Sequence, residues 1–270
     1  MKIDAEVHFW KFDKSTAAPA VRNNKLLSQH YLPEQLSQSL LRNGMDGCIA
    51  VVSGDSEVDT RFLAELALTH SEIRAVVGWT DLYHLKAVDK LQEFHQYAAI
   101  RGFRIEPAGN ELPSTAVMQK MNEYEYSLDL GFKAGLSPDT WNHFVQTYPE
   151  QTFILQNAGN PDTRTTPSLV WKTMIRELAG NPNLYCKTAG LLTGGIDSKT
   201  WKPADFFPFL DIIFDAFGPD RLLFASDWPF LLNSGMYVQW KSLLEKYMEK
   251  FSPEDKDKFF GENAHRLYRI

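Results

Sequence analysis

Short apolar, β-branched runs alternate along the chain with segments whose apolar residues recur at helical spacing. The runs are KIDAEVHF (2–9), DGCIAVVS (46–53), IRAVVGW (73–79), IRGFRI (100–105), GFKAGL (131–136), TFILQNA (152–158), LYCKTAG (184–190) and RLLFASD (221–227). Helix-period segments separate them at 33–42, 57–70, 85–97, 114–128, 138–148, 168–179, 203–217 and 237–250. Several of these open on a cap or stop signal, such as Ser137-Pro138 and Lys202-Pro203. Strands that are apolar throughout and separated by helices imply a parallel sheet covered on both faces. Eight such β/α units in 270 residues predict an α/β fold, a single (β/α)8 TIM barrel over 1–270 with an extra C-terminal helix over 252–268. An open doubly wound sheet is the alternative, but no G-x-G-x-x-G follows the first strand. The longest gap, 10–30, follows the first strand. In a barrel it lies over the C-terminal face, where active sites sit.

Charge and composition narrow the partners. The net charge of −6 argues against a nucleic-acid binder that works by phosphate neutralisation. No apolar run approaches membrane length, and the N-terminus MKIDAEVHFW carries acids where a signal peptide would be apolar. Cys48 and Cys186 lie in strand-like runs and read as reduced core thiols. The expectation is a cytoplasmic protein with a small-molecule partner, no nucleic acid and no membrane; a homodimer is compatible with a barrel of this size.

In a barrel the residues that converge are those at the C-terminal strand ends. Strand one ends in Glu6-Val7-His8, whose alternation places Glu6 and His8 on one face. Strand three ends near Trp79, strand four carries Arg104 and Glu106, and strand five contains Lys133. Strand six ends in Gln156-Asn157, strand seven contains Lys187, and strand eight ends in Ser226-Asp227-Trp228-Pro229. An imidazole beside a carboxylate can activate water, and cationic groups can hold an anion or a developing oxyanion. Glu6, His8 and Asp227 also form an N,O,O set for one divalent metal, zinc or manganese, with no other cofactor called for. Structural alternatives stand beside these: Asp227 as a helix cap, Lys187 as a buried ion-pair partner, Lys133 as a side chain reaching the rim, and Trp10 as rim packing. Of seven histidines, His8 alone sits on a strand end; His30 lies in the long first loop, within reach of the mouth. That count disfavours a histidine-rich binuclear centre.

The strand-end segments resemble the amidohydrolase superfamily. More closely, the chain resembles the branch of small barrel hydrolases that includes L-fuconolactonase, L-rhamnonolactonase and 2-pyrone-4,6-dicarboxylate lactonase. The resemblance rests on IDAEVHFW (3–10), YLPEQL (31–36), VVGWTDL (76–82), IRGFRIE (100–106), NAGNP (157–161), NLYCKTAGL (183–191), RLLFASDWP (221–229) and ENAHRLYRI (262–270). It implies a lactone hydrolase in which Asp227 is the general base, while histidines and basic residues polarise the carbonyl and hold polar substrate groups. The family's first-strand H-x-H falls on Glu6 and His8, matching at His8 only. The sixth-strand histidine falls on Asn157, the R-G-x-R arginines on Arg101 and Arg104, and the seventh-strand lysine on Lys187. Asparagine is neither acid nor base, although its amide can donate to an oxyanion. On this reading Asp227, His8, Asn157 and Glu6 are catalytic, and Arg104, Lys187, Trp79, Lys133, Trp10 and His30 contact substrate. A Glu-x-His first strand is similar to that of the resorcylate-type decarboxylases of the same superfamily, which implies a second reading: metal-dependent hydrolysis or non-oxidative decarboxylation at Glu6, His8 and Asp227. A third reading is a ligand-binding barrel that has lost catalysis with its signature histidines.

Overall fold

The computed structural model describes residues 1–15, 17–106, 111–132 and 137–270. Eight strands run in the order β1 (Ile3–Val7), β2 (Gly47–Val51), β3 (Ile73–Gly78), β4 (Ile100–Ile105), β5 (Ser127–Leu130), β6 (Phe153–Leu155), β7 (Leu184–Lys187) and β8 (Leu222–Leu223). Neighbours in sequence are neighbours in the sheet, and every pair is parallel. The ring closes between β8 and β1: Ala5 N–H donates to the Phe224 carbonyl, Asp227 N–H to Glu6 and His8 N–H to Trp228. The helices are α1 (Pro19–Arg22), α2 (Pro33–Arg42), α3 (Glu57–Thr69), α4 (Ala87–Phe94), α5 (Thr115–Glu123), α6 (Pro138–Thr147), α7 (Leu169–Ala179), α8 (Pro203–Phe217), α9 (Tyr237–Tyr247), α10 (Pro253–Asp257) and α11 (Asn263–Tyr268). This is the (β/α)8 barrel expected from the alternation, with extra helix at its C-terminus.

The helices start where local chemistry satisfies their free N–H groups. Ser56, Ser114, Ser137 and Ser168 each accept a hydrogen bond from the backbone N–H three residues on. Pro33, Pro138 and Pro203 occupy first-turn positions, where no N–H is missed. Apolar spacing then aims one face inward: α7 buries Trp171, Met174, Ile175 and Leu178, at i, i+3, i+4 and i+7. The resulting core fills the space between helices and sheet, and a smaller cluster that includes Ile3, Ala5, Ile49, Val51, Ala75, Val77, Ile154 and Leu223 fills the barrel itself.

Two departures from regular strand geometry place the site. Between Asp4 and Val7, β1 advances three residues while β2 advances two, from Cys48 to Ala50. This bulge resets the alternation, so Ile3 and Ala5 pack inside the barrel and Glu6 and His8 follow them there, while Asp4 meets the Ser226 backbone outside. The second departure corrects the fifth unit. The helix expected over 114–128 stops at Glu123, because Glu125 adopts a left-handed conformation (φ 52°) and the N–H of Tyr126 turns back to Met121. Strand five is therefore SLDL, four residues earlier than the run 131–136. Its Ser127 and Asp129 are polar because they face the interior, which hides the strand from a hydrophobic pattern. Residues 133–136, with Lys133, lie outside the described residues.

Helix α11 closes the other end of the barrel. Tyr268 is fully buried within the interior cluster. Gly261, just before α11, leaves no space for a side chain: a Cβ there would meet the Met1 carbonyl oxygen at 1.8 Å. Among the described residues, no helix is long and apolar enough to cross a membrane.

Candidate active site

At the C-terminal end of the barrel a cavity of about 270 Å³ is lined by residues of six β/α units and the loops after them, among them Glu6, His8, Arg104, Asn157, Thr193 and Asp227. His8 organises it. Its Nδ1 lies 2.8 Å from the Val51 carbonyl, which can only accept, so Nδ1 carries the proton. The opposite nitrogen, Nε2, then faces Asp227 Oδ1 at 3.1 Å and Glu6 Oε1 at 3.8 Å. A nitrogen lone pair set against two carboxylates needs a positive bridge, either a proton or a metal ion. The three side chains each bring one ligand atom within 4.8 Å of the others, and all three are buried. One imidazole and two carboxylates suit zinc or manganese, so the residues present fit a divalent metal.

Asp227 is held from both sides. Its backbone takes the left-handed conformation (φ 59°), and its Oδ2 accepts from Thr193 Oγ1 at 3.2 Å. Glu6 has Oε1 toward His8, while Oε2 accepts no hydrogen bond among the described residues and lies 3.6 Å from Lys187 Nζ. Burial pushes the Glu6 carboxyl above its ordinary value, against the opposing charges of Lys187 and His8. Burial alone would lower the Lys187 ammonium, but Asp129, Tyr268 and Glu6 reverse this and keep it protonated.

Asn157 sits on an unusual turn. Asn157, Ala158, Gly159 and Asn160 all have positive φ, a run of left-handed residues directly after β6. The turn is anchored by Trp171 Nε1 donating to the Ala158 carbonyl at 2.9 Å and Asn160 Nδ2 donating to Phe132 at 2.6 Å. It needs glycine at position 190, where a Cβ would come within 2.5 Å of the Asn157 Cβ. Among the described residues, Asn157 Oδ1 and the neighbouring Gln156 Nε2 are buried without a hydrogen-bond partner, and both residues line the cavity. Arg104 also lines it, with its guanidinium taken up by Glu106 (2.8 Å) and Asp55 (3.2 Å).

The remaining residues singled out from the sequence lie elsewhere. Lys187 is fully buried in the barrel and does not line the cavity. Trp79 packs half-buried against the outer core, with its backbone bonded to Thr60. Trp10 stands behind Phe230, 5.5 Å between ring centroids, and Phe230 in turn lies 5.2 Å from His8. His30 is exposed, its Nδ1 accepting from the Phe12 N–H at 2.9 Å. Conversely, Thr193, Ser53 and Asn233 at the cavity and Asp129 beneath it were not singled out from the sequence; the first three are small polar residues in loops, where no periodicity marks them.

A family model described as amidohydrolase matches residues 3–270. The chain belongs to the amidohydrolase family. It is a hydrolase of that family, at 29% identity to an L-fucono-1,5-lactonase of Burkholderia multivorans over 289 aligned residues, covering 100% of this chain and 96% of the relative. An L-rhamnono-gamma-lactonase of Scheffersomyces stipitis is 23% identical, covering 55% of this chain and 50% of that protein. A crystal structure of a Burkholderia multivorans amidohydrolase with bound zinc superimposes with a TM-score of 0.88 at 27% identity, covering 100% of this chain and 99% of the other.

Proposed function

We propose that this amidohydrolase opens a sugar-acid lactone, or a related cyclic ester, by attack of water on the ring carbonyl. The observation that carries the reading is the convergence of Glu6, His8 and Asp227 in a small polar cavity that the carboxamides of Gln156 and Asn157 also line. The lactonase names of the Burkholderia and Scheffersomyces relatives point to the same chemistry.

A divalent metal held by Glu6, His8 and Asp227 would supply Lewis acidity at the carbonyl oxygen. Asp227 takes the proton of the attacking water and returns it to the ring oxygen as the acyl C–O bond breaks; Thr193 fixes the carboxylate from the other side. The Val51 carbonyl holds the His8 ring in orientation. The Asn157 amide donates to the carbonyl oxygen as charge develops on it, in a position where histidine would bring a charge and asparagine brings a dipole. Gln156 Nε2 donates to a ring hydroxyl.

A pH-indicator screen of aldonolactones, run on enzyme purified without chelator and again after chelation, tests the reading. Acid release from at least one neutral sugar lactone is expected, falling on chelation and returning with zinc or manganese. Tight binding of sugar acids with no turnover of any lactone would replace the reading with a binding role.

A further inference from the structure

Below the cavity, the barrel interior carries charge where aliphatic packing would be expected. Lys187 Nζ is 2.5 Å from Asp129 Oδ2 and 3.6 Å from Glu6 Oε2, and all three side chains are essentially without solvent exposure. The Tyr268 hydroxyl, from α11, reaches the same Asp129 oxygen at 3.5 Å, and the Lys187 ammonium lies 5.7 Å from the Tyr268 ring. Ser127 Oγ occupies the other Asp129 oxygen at 3.3 Å. The next layer of the interior is apolar, with Ile3, Ile49, Ile154 and Leu223. A buried ion pair costs desolvation that well-packed aliphatics of similar volume avoid, so stability alone is a weak reason for this layer.

We propose that Tyr268, Asp129 and Lys187 are positioning residues: they form a buried chain from the C-terminal helix to Glu6 and fix the orientation of its carboxylate, one oxygen toward Lys187 and the other toward His8. Asp129 is immobilised by Ser127 and Tyr268, and it holds Lys187 by the short contact. Lys187 then draws Glu6 Oε2 toward the barrel interior, which leaves Oε1 turned to His8 Nε2. The last residues of the chain thereby belong to the site, although none of them lines it. The inference builds on the proposed function, in which Glu6 is a working residue, and it is tested without relying on turnover.

The test is the ring-nitrogen spectrum of His8 in full-length protein labelled with 15N-histidine, the signal being assigned by its loss in His8→Asn. Lys187→Met and Asp129→Asn are expected to move the His8 Nε2 resonance by more than its line width, and Tyr268→Phe to move it less. In a Glu6→Gln background, Lys187→Met is expected to add no further shift, because Lys187 acts through Glu6. If Lys187→Met does not fold, Asp129→Asn and the near-isosteric Tyr268→Phe decide. An unmoved His8 signal in Asp129→Asn and Tyr268→Phe overturns the inference, as does an equal Lys187→Met shift with and without Glu6. A wild-type protein that opens no lactone would remove the proposed function and leave this result standing.

Discussion

At His8 a backbone carbonyl decides what the side chain can do. Because Val51 accepts from Nδ1, the ring presents Nε2 to Asp227 and Glu6, and every role of the site follows from that orientation. Thr193 does for Asp227 what Val51 does for His8. Thr193→Val is expected to lower kcat on a lactone about 10- to 100-fold, the usual cost of losing an outer partner of a site group, with KM little changed. A kcat equal to wild type would show that the 3.2 Å contact is idle. Asp4 carries a separate prediction. Burial raises its carboxyl from 3.8 to about 6, against the opposing hydrogen bonds of Ser226 and Glu6. The folded state therefore binds this proton more tightly than the unfolded chain. The stability it contributes is complete below pH 4 or so and is lost as pH rises through about 6, roughly 3 kcal/mol in all. Asp4→Asn keeps an oxygen for the Ser226 N–H without the charge, so its urea midpoint is expected to fall less steeply from about pH 4 to 7 than that of the wild type. A mutant midpoint that falls just as steeply contradicts this assignment.

Elements differ in how plainly their residues announce them. Most helices and seven of the eight strands follow from apolar period and from serine or proline starts. The fifth strand does not, because Ser127 and Asp129 turn polar side chains into the barrel and break the apolar run that marks a buried strand. Likewise, the β1 bulge is invisible in IDAEV: only the register against β2 shows that Asp4 faces outward and Glu6 inward. Among site residues, Glu6, His8, Arg104, Asn157 and Asp227 were legible because they end strands. Thr193 was not, since it lies in a loop brought over the cavity by the fold. The left-handed turn at 157–160 had a faint signal, asparagines flanking a glycine, but its dependence on Gly190 is tertiary. Gly190→Ala places a Cβ 2.5 Å from that of Asn157 at φ 86°, so a loss of about 1–3 kcal/mol in urea unfolding is expected, together with reduced lactone turnover. Unchanged stability and activity would show that the turn yields without consequence.

At the scale of the whole molecule, the barrel gathers residues from both ends of the chain into one cavity. Glu6 and His8 come from the first strand, Asp227 from the last, and the 10–30 loop is tied to the mouth by Asn24 Nδ2 donating to Asn233 Oδ1 at 2.7 Å. Elemental analysis of protein purified without chelator is expected to find about one equivalent of zinc or manganese, lost in Glu6→Gln; a metal content untouched by that substitution would place the ion elsewhere. The most direct measurement is kcat/KM for the preferred lactone in wild type and Asp227→Asn, with thermal unfolding of both. A loss of about 10³-fold or more with the fold intact is expected, since proton transfer by one positioned group contributes about 10²–10⁴-fold and Asp227 also serves as a ligand. Hydrolysis by Asp227→Asn at the wild-type rate would contradict the account.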